Sequence, residues 1–155
     1  MDAIKKKTVR YLHKTNIMAY VKFHFAQKKR SLENRQEAKE FGATGEQMAA
    51  QYLEEQGYVI LEHNYYNRRK EADLIALDQG TLVFVEVKTR STDYFMQPEE
   101  AVNHQKRQNL IRVADQYIRS HKRHEPARFD VIAIVKNDKE TRIKHIKNAF
   151  NMMNY

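Results

Sequence analysis

The 155-residue chain contains no cysteine. That removes disulfides, a thiolate nucleophile and any cysteine-based zinc site, and it fits a reducing cytoplasm. Glycine is scarce, with four in the whole sequence. Neither a glycine-rich phosphate loop nor a Gly-x-Ser-x-Gly elbow is present, so nucleotide-driven and serine-hydrolase chemistry have no footing. No apolar run approaches the roughly 20 residues of a membrane span. Lys5, Lys6 and Lys7 lie near the N-terminus, but Arg10, His13, Lys14 and Lys22 interrupt what would have to be an apolar signal core. The expectation is a soluble, unsecreted, cytoplasmic protein without a membrane partner. Seven histidines are scattered over polar segments, and only His121 and His124 are close together, so zinc is not expected.

The length suits one globular domain with a sizeable core. The net charge of +8 is unevenly spread. Residues 1–41 carry 11 Lys and Arg against 4 Asp and Glu, or +7, whereas residues 42–155 carry 17 against 16, or +1. The chain divides accordingly into a basic N-terminal extension, 1–41, and a domain over 42–155. The extension reads as a flexible or loosely helical tail, with a nucleic-acid-binding arm as the sharper alternative. Met18 is a second candidate start.

From Thr44 the pattern becomes regular. Thr44 and Gln47 have capping-box spacing, and Ala49, Ala50, Tyr52 and Leu53 form a helical stripe that ends at Gly57, a residue suited to the position after a helix. Residues 58–65 read as a strand, followed by strands near 71–78 and 81–89. Pro98-Glu99-Glu100 opens a second helix whose apolar stripe is Leu110, Val113, Ala114, Tyr117 and Ile118. Residues 129–135 form an apolar, β-branched strand, Asn137-Asp138 marks a turn, and a weaker segment around Ile143 and Ile146 closes the chain. The order helix, three strands, helix, strand predicts an α/β core with helices flanking the sheet.

Chemistry gathers at the central hairpin. Gln79-Gly80 reads as a two-residue turn, which makes positions summing to 159 face each other. Leu77 then faces Leu82, Ile75 faces Phe84, Asp73 faces Glu86 and Glu71 faces Lys88. Two carboxylates across a ladder, with Cβ atoms ~5 Å apart, repel unless something positive lies between them. Mg²⁺ suits the position, since it is typically held by one or two carboxylates with water and phosphate oxygens completing its shell. Glu46 shares the inward stripe of the first helix one turn earlier and supplies a third carboxylate. Lys106 extends the stripe of the second helix back toward the same end. Arg68, Arg69, Arg90 and Arg107 are further basic residues placed for phosphate contacts, which orient a polynucleotide without reading its sequence.

Each feature has a plainer reading. The hairpin charges can form a salt-bridged patch, though surface pairs are worth only ~0–1 kcal/mol. Glu46 can simply favour a helix N-terminus, the basic helix can be a solvated face, and Lys106 can snorkel. The Glu-x-Lys spacing is weak alone, since Glu37-Ala38-Lys39 also has it.

Several ordered motifs together resemble the YraN family of small, largely uncharacterised bacterial proteins, over about residues 42–135. They are Gly45-Glu46 with Ala50 and Tyr52-Leu53, Asn64-Tyr65, Glu71-Ala-Asp73-Leu-Ile75, Phe84-Val-Glu-Val-Lys-Thr-Arg90, Ala101-Val102 with Lys106, and Arg128-Phe-Asp-Val131. That family looks like the restriction-endonuclease-like, PD-(D/E)xK superfamily and is similar to archaeal Holliday-junction resolvases. The resemblance implies a restriction-endonuclease-like core: helix, three-stranded antiparallel meander, helix, strand. It also implies Mg²⁺ or Mn²⁺ on Asp73 and Glu86, Lys88 orienting the attacking water, and Glu46 completing the site. The implied function is a nuclease or DNA-processing protein, and the resolvase likeness implies a homodimer. Where the family usually has Gly-Glu-Ile-Asp, this chain has Lys70-Glu71-Ala72-Asp73. The alternatives are a non-catalytic nucleic-acid-binding module on the same fold, and an interaction protein whose tail binds RNA or ribosomes.

Overall fold

A computed structural model describes residues 2–91 and 102–150, with side chains from Phe25 onward. Two helices and five strands follow in chain order: α1 (Asp2–Glu55), β1 (Val59–Asn67), β2 (Lys70–Asp78), β3 (Thr81–Arg90), α2 (His104–Ser120), β4 (Ala127–Lys136) and β5 (Thr141–Phe150). The strands form one sheet in the order β1-β2-β3-β4-β5. Every neighbouring pair is antiparallel except β3 and β4, which are parallel. The protein is therefore a mixed α/β fold. Residues 1–40 and 41–155 form two separate compact units, and the sheet belongs to the second. No helix among the described residues is long and apolar enough to cross a membrane.

The first helix corrects the expected start at Thr44. The helix begins at Asp2, and Thr44 and Gln47 lie within it. Residues 31–40 are rich in helix formers and support themselves locally. Lys29 pairs with Glu33 at 3.7 Å, and Gln36 donates to Glu40 at 3.2 Å. No proline interrupts the run, so a cap-like spacing has no end to cap. The expected stop does occur. Gly57 adopts φ +86°, the Gly57 amide donates to Glu54 O and the Tyr58 amide to Leu53 O, which together make a Schellman end.

The β2–β3 turn has positive φ at both Gln79 (46°) and Gly80 (83°), as a type I′ hairpin requires. The ladder keeps the expected register from Asp78↔Thr81 through Ile75↔Phe84 to Leu74↔Val85. Side chains of β3 alternate between two cores. Leu82 and Phe84 pack with Leu110, Val113 and Tyr117 of α2, while Val83 and Val85 pack with Ala49, Ala50 and Leu53 of α1. β4 alternates likewise, with Phe129 and Val131 on one side and Ile132 and Ile134 on the other. Burial on both faces explains why these two strands read as unbroken apolar runs.

α2 is capped by Asn103, whose Oδ1 accepts from the Lys106 amide at 2.9 Å. The opening expected at Pro98-Glu99-Glu100 lies outside the described residues. The closing segment proves to be a ten-residue edge strand, β5. Its turn is set by Asn137 Oδ1, which accepts from the amides of Lys139 and Glu140, each at 3.0 Å. Its end is anchored by Phe150, stacked on Phe129 at 4.8 Å between ring centroids.

A buried polar cluster ties β4 to its neighbours. Asp130 is fully buried. Its carboxylate accepts from Arg128 Nε at 3.1 Å and from the Asn148 amide at 3.0 Å, and a ring nitrogen of His145 lies 2.9 Å away. Arg128 also donates through Nη2 to Asp78 at 2.7 Å and to the Tyr58 hydroxyl at 2.9 Å. Burial alone would raise the Asp130 carboxyl; the bonds from His145, Arg128 and Asn148 outweigh it and hold the pKa below the usual range.

Gly45 is the point where α1 meets β3. A Cβ there would lie 1.9 Å from Thr89 Oγ1 and 3.0 Å from Thr89 Cβ. Rotating the threonine moves the hydroxyl away but leaves its β-carbon 3.0 Å from the added methyl, so the contact is still tight. Gly45→Ala, which in an open helix would stabilise by ~1 kcal/mol, should here destabilise by ~1–3 kcal/mol. Urea denaturation checks this, and Thr89→Ala should recover most of the loss. Equal losses with and without Thr89 would show that the contact is not the cause.

Candidate active site

Beyond Leu74↔Val85 the expected pairing of Asp73 with Glu86, and of Glu71 with Lys88, does not continue. In an unbroken ladder Val87 would pair with Ala72. The Asp73 carboxylate takes that amide instead, with Val87 N donating to Oδ2 at 2.7 Å. Ala72 remains paired with Tyr65 on β1, and Glu71 with Tyr66. β3 continues alongside β4, with Glu86↔Val131 and Lys88↔Ala133. The two strands thus part at the point where the acids begin.

Asp73 is 7 % exposed and Glu86 1 %. Glu86 is held by two lysines, Lys88 Nζ at Oε1 and Lys106 Nζ at 3.0 Å from Oε2. Oε2 is buried, with the Lys106 ammonium against it. Lys106 also lies 3.8 Å from Glu71 Oε1. Burial works to lower the Lys106 ammonium, but Glu86, Asp73 and Glu71 prevail and raise its pKa. Burial, and then the charge of Glu86, push the Asp73 carboxyl up to about 7; the Val87 amide and Lys106 only partly offset them. Asp73 is thus a carboxyl whose charged form this site disfavours.

Glu46 follows Gly45 on α1 and is half-buried. Its charge adds to the rise at Asp73 and acts on the Tyr66 hydroxyl. Among the described residues no group of three or more His, Asp or Glu side chains is placed to hold a metal ion. A cation here would rest on the Asp73–Glu86 pair. The pair suits a cation that keeps several water or phosphate ligands, and Glu86 Oε2, which faces the Lys106 ammonium, is an oxygen such an ion would take.

The basic candidates divide. Arg68 and Arg69 are exposed and form the two-residue turn between β1 and β2, closed by Asn67↔Lys70, with Arg68 at φ +57°. Arg90 is exposed at the end of β3, and its Nη1 donates to Thr89 O. Arg107 is committed to the fold. Its Nε donates to Val102 O at 2.7 Å, and its guanidinium lies over the Phe150 ring at 5.7 Å. Sequence reasoning did not anticipate the Val87 amide, the Glu71–Lys106 contact or Gly45 as a spacer. Only the last left a trace, as a glycine inside a helical stripe.

Fold and site together define a mixed α/β protein with a buried acid pair and two lysines where its central hairpin parts. Residues 45–134 match the model of the uncharacterised protein family UPF0102. A UPF0102 protein of Alkaliphilus oremlandii is 47 % identical over 115 residues, covering 72 % of this chain and 98 % of that protein. Another, of Thermodesulfovibrio yellowstonii, is 48 % identical over 111 residues, covering 72 % and 96 %. A third, of Bacteroides thetaiotaomicron, is 44 % identical over 114 residues, covering 74 % and 94 %. This chain belongs to the UPF0102, or YraN, family, and carries about a quarter of its length beyond what these relatives match.

Proposed function

We propose that the protein is a metal-dependent nuclease, hydrolysing phosphodiester bonds at the Asp73–Glu86 pair with Mg²⁺ or Mn²⁺. The observation that carries this is the buried acid pair with two lysines on Glu86. A structural patch has no need to bury Asp73 with its charge poorly compensated. The succession of helix, three-stranded meander, helix and parallel strand supports a restriction-endonuclease-like core. When bound, the cation lowers the pKa of a bound water and neutralises charge on the scissile phosphate. Asp73 and Glu86 would hold it, and the Val87 amide fixes the Asp73 carboxylate. Lys88, anchored on Glu86, would orient the attacking water and stabilise charge developing on the phosphate. Lys106 would face the phosphate's negative charge from α2. Arg68 and Arg69 would contact the flanking backbone. A two-fold dimer presenting two such sites belongs to the same reading.

The test uses purified protein with junction, flap, duplex and single-stranded DNA, with Mg²⁺ or Mn²⁺. Asp73→Asn and Lys88→Ala should each lower cleavage by about 10²-fold or more. A second reading, a nucleic-acid-binding module without catalysis, is favoured by one observation: Lys88 and Lys106 already balance Glu86 without a cation. Binding that survives both substitutions, with no cleavage of any substrate, would establish it instead.

A further inference from the structure

Tyr66 is a large side chain left in the open beside the acids. It is 63 % exposed, and the other large apolar side chains exposed to a similar degree among the described residues are Phe25, Leu32 and Val59. Of these, Tyr66 is the aromatic within residues 41–155. Its neighbour Tyr65 turns inward and meets the Tyr117 ring edge-on at 5.1 Å, so strand alternation presents Tyr66 outward. Its cross-strand partner is Glu71, two residues before Asp73, and the charges of Glu46 and Asp73 reach its hydroxyl. On the other side the chain turns at once through the exposed Arg68 and Arg69. An exposed ring thus stands between an acid pair and two exposed guanidinium groups.

We propose that Tyr66 is a stacking platform for an unpaired nucleobase next to the scissile phosphate, with Arg68 and Arg69 contacting the adjoining backbone. This deepens the nuclease reading and rests on it for the word scissile. The chemistry selects the occupant. A ring flanked by arginines matches a base flanked by phosphates, the combination found where proteins hold single strands. Within an intact duplex both faces of a base are covered by its neighbours. The preferred substrate is therefore a single strand, flap or branch with at least one base free to leave the stack.

The experiment reads binding, not turnover. Oligonucleotides carrying 2-aminopurine, whose fluorescence is quenched on stacking, are titrated as single strand, flap and blunt duplex, without divalent metal. Quenching should accompany binding of the single strand and flap. Tyr66→Ala should weaken their binding about tenfold or more and abolish the quench, leaving duplex binding unchanged, while Tyr66→Phe should keep both. Tyr66→Ala without effect, or with equal losses on duplex and single strand, overturns the proposal. So does failure of Tyr66→Phe, which would assign the effect to the hydroxyl on Glu71. Cleavage assays on the same variants keep the two ideas apart. Asp73-dependent cleavage with unaltered strand preference in Tyr66→Ala sinks the platform alone. Tyr66-dependent stacking by a protein that cuts nothing leaves the platform standing without the nuclease.

Discussion

Asp130→Ala should cost the protein about 3–5 kcal/mol, because it removes one partner of a buried ion cluster and leaves the other charged. Arg128 would keep Asp78 and the Tyr58 hydroxyl, but it would lose its contact to a group with no exposure at all. The Asn148 amide would lose its acceptor, and β5 would lose a tie to β4. Against a total stability of ~5–15 kcal/mol, such a loss is readily measured by urea denaturation. A loss under ~1 kcal/mol would place the cluster among ordinary surface pairs. The pH dependence has a definite sign. The folded Asp130 carboxyl lies below its unfolded value, so its contribution is present above about pH 4 and is lost as pH falls through the folded pKa. The Asp130→Ala protein should therefore lose less stability than the parent between about pH 4 and pH 2.

Asp73→Asn should do the opposite to stability while removing the proposed activity. Here the folded pKa of about 7 lies above the usual aspartate value. The associated stability is thus fully present below about pH 4 and is lost as pH rises through 7. A rise from about 4 to about 7 corresponds to a penalty of up to about 4 kcal/mol at alkaline pH. Asparagine carries no charge to bury, and its carbonyl still accepts from the Val87 amide. The metal-free variant should therefore be more stable than the parent at pH 8, by up to that amount, and equal to it near pH 4. Parallel stability curves for the two proteins would show that Asp73 is not strained by burial. A gain in stability combined with lost cleavage would mark Asp73 as a residue kept for chemistry.

The β2–β3 register as far as Leu74↔Val85 was legible because a two-residue turn sets the pairs next to it, and Gln79-Gly80 permits such a turn. The parting of the strands after Leu74 was not legible, since it depends on one side chain capturing a backbone amide fourteen residues away. The start of α1 was misread for a related reason: capping spacing is local and does not reveal whether the upstream chain is already helical. β5 seemed weak because Arg142, Lys144 and Lys147 interleave its apolar residues, which is the normal appearance of an edge strand. At the site, Lys88 and Lys106 meet Glu86 and the charge of Glu86 reaches Asp73, but the ladder pairing expected between the two acids stops short of them. Arg107 shows the limit of such reasoning, because its spacing gave no sign that its Nε donates to Val102 O.

The central place of β3 has a kinetic consequence. β3 is bonded on both sides as far as Val85 and beyond it to β4 alone, and a doubly bonded stretch opens late in local unfolding. Glu86 and Lys88 are rooted in that strand. Arg68 and Arg69 instead sit at a hairpin tip whose outer strand, β1, has only one bonded neighbour. Glu86 and Lys88, tied to β4, thus begin where the doubly bonded stretch ends, and the two arginines lie on the faster-opening margin of the sheet. Fluctuations that let the tip follow differently shaped strands need not disturb the acid pair.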